Sequence, residues 1–160
     1  MHSSKINFYL KLIFLLSFVS IFSAYYIEYI MGHQPCNLCL IERIPYALSL
    51  ILITTYFVLK KNRMFFILLL VMTFSFSLII SIYHFGIEQG FIAESLVCNL
   101  ENGAKIISKD ELLRELQSKK ISCKDVTFKI LGFSLTAINM FISASIVIFL
   151  TKIFISYEKK

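Results

Sequence analysis

The chain has 160 residues, of which 58% are hydrophobic and only 16% charged. That excludes an ordinary water-soluble domain, which must present charge to solvent as well as fill a core. The net charge of +6 does not read as a nucleic-acid footprint, because Lys and Arg stand at the edges of apolar runs and no basic stripe alternates with aromatics.

Crossing the hydrocarbon core as a helix takes about 20 apolar residues, and four segments meet or approach that length. The first covers approximately residues 8–30. It is longer than the core of a secretory signal and no small-x-small cleavage site follows it, so a retained helix is expected. The second, approximately 40–59, is apolar only from Ile44 to Leu59. It spans if it extends back toward Cys39 or if the bilayer thins around it. Residues 60–63, Lys60-Lys61-Asn62-Arg63, allow only a tight turn, and their three positive charges mark the cytoplasmic face. The third and fourth spans are read at approximately 64–85 and 130–154.

The termini share the face of that turn if all four runs cross. This side then holds eight Lys or Arg against the single Glu158, whereas the two opposite loops, counted with Glu28 just before the first, hold eight against nine Asp or Glu. Both termini are therefore expected to be cytoplasmic. The outer loops, approximately 31–43 and 86–129, contain all four cysteines or have them at their edges. In the longer loop Ser108-Lys109-Asp110-Glu111 fits a capping box, and Leu112, Leu113 and Leu116 follow at helical spacing. A short amphipathic helix over 108–118 is expected, lying on the membrane surface or packed on protein. The expected fold is an all-α membrane protein: one domain, a four-transmembrane-helix bundle with two periplasmic loops, the second carrying this interfacial helix.

The informative constellation is Cys36-Asn37-Leu38-Cys39, a C-x-x-C at the junction of a loop and a helix, with Cys98 and Cys123 in the other loop on the same face. Outside the cytoplasm such thiols become structural disulfides unless chemistry keeps cycling them. A C-x-x-C bridge closes so small a ring that it constrains the unfolded chain little, which favours a redox role for Cys36 and Cys39. Zinc sites usually pair two close C-x-x-C units, whereas Cys98 and Cys123 stand 25 positions apart, so no metal is expected. Leu40 occupies the position where a c-type haem attachment needs His.

Arg43 lies four residues after Cys39. On a helix it shares the face of Cys39 and can stabilise its thiolate; the other reading is an interfacial anchor. His84 closes the third run and can donate a hydrogen bond or a proton to a quinone carbonyl, or serve structure alone. Glu42 and Glu88 are read as interfacial carboxylates that pair with Arg43 or face water, without a catalytic role.

The run Cys36-Asn37-Leu38-Cys39-Leu40-Ile41-Glu42-Arg43 resembles the C-x-x-C-x-x-E-R signature of the DsbB family, the bacterial disulfide bond formation proteins. The resemblance extends to the four-helix plan, the long outer loop with two cysteines, Tyr83-His84, and Gly132-Phe133-Ser134-Leu135 at the start of the last helix. It implies an enzyme of the bacterial inner membrane that reoxidises a periplasmic DsbA-like thiol oxidase of thioredoxin fold and passes the electrons to ubiquinone or menaquinone. Carried over, Cys98 is attacked by the partner's cysteine, Cys123 is released and attacks Cys36, and Cys39 leaves as a thiolate beside Arg43 and the quinone. Two other readings stand beside this one: a quinone-linked relative serving one private partner, and a non-catalytic subunit whose loops are held by two structural disulfides.

Overall fold

No water is available inside a bilayer to satisfy backbone polar groups, so a long apolar run crosses it as a helix that bonds its own backbone. The computed structural model describes residues 2–60, 62–93, 123, 129–130 and 133–158. Among these are four such helices: α1 (His2–Tyr29), α2 (Asn37–Leu59), α3 (Arg63–Glu88) and α4 (Leu135–Glu158). All four are long and apolar enough to cross a membrane. They form a four-helix bundle in which α2 packs against α1 and α3, and α3 against α4. The rings of Tyr9 and Phe149, 5.1 Å apart, bring α4 back to α1.

The bundle is apolar outside and partly polar inside. Met72, Ile79 and Phe141 are among the large apolar side chains that point outward, while Ser17, Ser49, Ser77, Ser81 and Ser143 are fully buried. Small hydroxyl residues at helix contacts let backbones approach closely and bond across the interface. Ser49 donates to Ser17 at 2.8 Å, and Ser77 and Ser143 lie 3.0 Å apart. Phe74, Ile53, Ile67, Leu70 and Leu150 fill the core on the side of the α2–α3 turn.

The helix ends depart from the hydropathy boundaries for local reasons. The second helix starts at Asn37 rather than near residue 40, because Cys36 sits in extended conformation as its N-cap and accepts from the Cys39 N–H at 3.3 Å. Cys39, Glu42 and Arg43 are thus helical, where the first outer loop was expected to run to residue 43. The α2–α3 turn is closed by Lys60 and Asn62, both left-handed, and Arg63 already belongs to α3. Arg63 donates to the Tyr56 hydroxyl, which donates to Asn7 and ties three helices together at this end.

Past residue 85, α3 continues to Glu88 and stops where Gly90 takes φ +77, with the Phe91 N–H on the Gly86 carbonyl and the Gly90 N–H on that of Ile87. That pair of bonds is a Schellman motif. The last helix starts at Leu135, not at 130. Residues Lys129–Ile130 (β1) and Phe133–Ser134 (β2) pair antiparallel first, and the Ser134 hydroxyl accepts from the Ala137 N–H at 3.1 Å, which is an N-cap bond. The amphipathic helix expected over 108–118 lies outside the described residues.

Candidate active site

The cysteine end of the bundle is built from the first turns of α2, the last turns of α3 and the start of α4. Cys36 and Cys39 are free thiols whose Sγ atoms lie 2.7 Å apart. The N-cap position turns the Cys36 sulfur onto the Cys39 N–H in the first turn of α2, an arrangement that favours thiolate. The Cys36 thiol is pushed down to about 5, first by the hydrogen bond from Cys39, against the opposing effect of burial and with help from the His84 ring.

His84 reaches across from α3, with Nε2 at 3.5 Å from the Cys36 sulfur and Nδ1 at 3.1 Å from Glu42 Oε1. A carboxylate only accepts, so Nδ1 carries a proton; Nε2 then donates to a Cys36 thiolate when the ring is protonated and turns its lone pair toward the thiol when the ring is neutral. The Thr136 hydroxyl, 3.3 Å from the same Nδ1, donates to Glu88 at 2.7 Å and is therefore free to accept from the ring.

Glu42 is buried, and its second oxygen accepts from Asn139 at 3.0 Å. Asn139 also donates to Ser81 at 2.8 Å and accepts from the Tyr46 hydroxyl. Glu88 accepts from Ser134 at 2.6 Å as well as from Thr136. Both carboxylates are therefore held by hydroxyl, amide and imidazole groups, and neither pairs with Arg43 or simply faces water. Arg43 turns instead to α1, donating to Glu28 at 2.5 Å and lying over the Tyr25 ring at 5.1 Å. The side chains that sequence reading missed are Glu28, Thr136 and Asn139. The one signal for Glu28 was an ionisable residue inside an otherwise apolar span, which calls for a partner.

These groups surround a cavity of about 360 Å³, within the size range of a small-molecule site. Cys36, Cys39, Arg43, His84 and Cys123 all line it, and apolar residues of α1 and α4 such as Ile27 and Ile142 complete the wall. Cys123 is disulfide-bonded and buried in one cluster with Cys36, Leu38 and Ile87. Five of the six expected site residues thus converge on one cavity, and Cys98 lies outside the described residues. For a metal, the compatible donors are Cys36, Cys39 and His84, whose ligating atoms lie within 4.8 Å of one another.

Comparison with known proteins gives one family match: the family model described as disulfide bond formation protein DsbB covers residues 7–153. "Uncharacterized protein RP370" of Rickettsia prowazekii (strain Madrid E) is 30% identical over 137 residues, 84% of this chain and 80% of that protein. No solved structure matches significantly.

Proposed function

The chain belongs to the DsbB family of membrane disulfide-bond-formation proteins, and from that premise we propose that it reoxidises a DsbA-like thiol oxidase of thioredoxin fold and delivers the electrons to ubiquinone or menaquinone. The reading places it in a bacterial inner membrane, with both termini cytoplasmic and the cysteines periplasmic. The observation that carries it is the convergence of Cys36, Cys39 and Cys123 on one largely apolar cavity among membrane-spanning helices.

The partner's thiolate attacks Cys98, the Cys98–Cys123 bond breaks, and Cys123 leaves as a thiolate. Cys123 then attacks Cys36, with which it shares a buried cluster, and Cys39 leaves as the Cys36–Cys39 bond breaks. Each transfer is thiol–disulfide exchange, governed by thiolate fraction, leaving-group acidity and access. The partner's second cysteine resolves its mixed disulfide, so the partner departs oxidised and releases the Cys98 thiolate. That thiolate attacks Cys123 and breaks the Cys36–Cys123 bond, so that Cys98–Cys123 re-forms and the electron pair rests on Cys36 and Cys39. The Cys39 sulfur faces the cavity with two electrons to give up, and Arg43, always charged, sets a positive field on the same wall. Its ion pair with Glu28 holds it there.

The cavity fits a quinone head: its volume and apolar wall suit a flat ring, and Arg43 and His84 offer polar groups for carbonyl oxygens. When bound, a quinone supplies a two-electron, two-proton acceptor, so partner dithiol plus quinone becomes partner disulfide plus quinol. His84, with Nε2 toward Cys36 and Nδ1 on Glu42, holds or releases a proton where sulfur charge changes.

The test mixes the purified protein in detergent with a reduced thioredoxin-fold thiol oxidase and a soluble quinone, and follows quinone reduction. Rapid turnover is expected, abolished by each of Cys36→Ala, Cys39→Ala, Cys98→Ala and Cys123→Ala. Absence of turnover with both disulfides intact would instead favour the non-catalytic subunit.

A further inference from the structure

Electron transfer through sulfur needs Cys36 and Cys39 to alternate between dithiol and disulfide. Beyond a proton for His84 to hold, it does not need a third donor beside the pair, yet Cys36, Cys39 and His84 bring one sulfur or nitrogen atom each within 4.8 Å of one another, and the two sulfurs, 2.7 Å apart, need to part by about 1 Å to share a tetrahedral ion. Two thiolates and an imidazole suit zinc-like cations, and three protein ligands with an open fourth position is a common donor set for them.

The surroundings suit a cation as well. A metal-bound His is usually oriented by a carboxylate on its other nitrogen, and Glu42 takes that place on His84 Nδ1 at 3.1 Å, leaving Nε2 toward Cys36. Two thiolates and a divalent cation sum to zero, so the bound set places no net charge in a buried site. Among the described residues the guanidinium lining the cavity is that of Arg43, whose positive charge is partly offset by Glu28 at 2.5 Å. The fourth position opens on the cavity, which both cysteines and His84 line.

The geometry points to a regulatory metal site: in its dithiol state the centre captures a thiophilic divalent cation of the zinc class through Cys36 Sγ, Cys39 Sγ and His84 Nε2, and is held reduced. Capture moves no electrons. The thiol proton of Cys39, with whatever proton remains on Cys36, leaves to solvent, three coordination bonds form, and the disulfide form, which has no thiolate, takes no metal. A captured cation ties up both sulfurs and blocks reclosure of the disulfide, so free zinc acts as a brake on the centre whatever its electron acceptor.

The experiment uses the full chain carrying Cys98→Ser and Cys123→Ser, reduced and freed of reductant without air, and titrated with cadmium ion. We expect one cadmium per chain, an ultraviolet thiolate-to-metal absorption, and protection of Cys36 and Cys39 from maleimide. Glu42→Gln should weaken binding about 10- to 100-fold, and His84→Ala by at least as much. The oxidised protein should bind none. In the zinc-loaded parent, X-ray absorption should find sulfur at about 2.3 Å and an imidazole nitrogen at about 2.0 Å, and this arm does not depend on a variant folding. The proposal is overturned by a shell without imidazole, by affinities unchanged in both variants, or by equal uptake in the disulfide form. No arm reads quinone turnover, so a failure of the proposed electron path is separable from a failure of the metal site.

Discussion

At Arg43 the guanidinium answers to two neighbours, the Glu28 carboxylate and the Tyr25 ring, both on α1. Replacing it with His keeps a polar ring but loses the permanent charge and the planar fork. Arg43→His should raise the KM for quinone about tenfold, equivalent to ~1.4 kcal/mol, while the helical circular dichroism melt moves little. Unchanged quinone kinetics would count against a role beside the acceptor. Glu42 is a different case, because its carboxylate satisfies His84 and Asn139 at once. Glu42→Ala leaves a buried donor on His84 and a half-buried one on Asn139 without that acceptor, and stability should fall by about 1–3 kcal/mol for a buried group left unpaired. Unfolding in a mixed-detergent titration measures this, and a loss within error would mean that water or a neighbouring hydroxyl replaces the carboxylate. The motif made Glu42 and Arg43 visible, but their partners stand on other helices, at separations of 15, 42 and 97 residues.

At the scale of elements, the helix ends decide where the chemistry sits. Ser134 caps α4 through the Ala137 N–H and also donates to Glu88 at the end of α3. Ser134→Ala should cost about 1 kcal/mol and raise amide hydrogen exchange at the first turn of α4; unaltered protection there would show that the short β pairing alone starts the helix. Hydropathy found the apolar bodies of all four helices but not their ends, because a cap is set by one side chain and a few backbone groups, not by average polarity. In the second outer loop the leucine spacing predicts a surface helix over 108–118. Leu112→Glu with Leu116→Glu should lower turnover with the partner protein and loosen membrane association on flotation. If neither changes, the segment does not position the loop.

The whole molecule is a four-helix membrane bundle with a polar lattice of buried serines, Asn139 and Tyr46 beneath the cysteines. Phe74, Ile53, Ile67 and Leu70 pack the side toward the α2–α3 turn. That asymmetry sets an apolar barrier between the site and the α2–α3 turn. The charge pattern predicts which end faces out. In intact spheroplasts a membrane-impermeant maleimide should reach a cysteine placed at Gln34 by Gln34→Cys, and should reach one placed by Asn62→Cys only after permeabilisation, both in a background without the native thiols. The opposite labelling would invert the proposed topology.

The sequence by itself determined the span count, the membrane class and the position of the C-x-x-C pair, because hydrophobic run length and a C-x-x-C are local properties readable over a few turns of chain. Membership in the family was legible for the same reason, as Cys36 to Arg43 is one continuous motif. Only the tertiary structure decided that Arg43 turns to Glu28 and not to Glu42 or Glu88. It alone decided that His84 bridges Glu42 and Cys36, and that Cys123 lies in one buried cluster with Cys36. In a low-dielectric interior each buried polar group takes the partner that packing brings within reach, and which helices pack together is not encoded in any one of them.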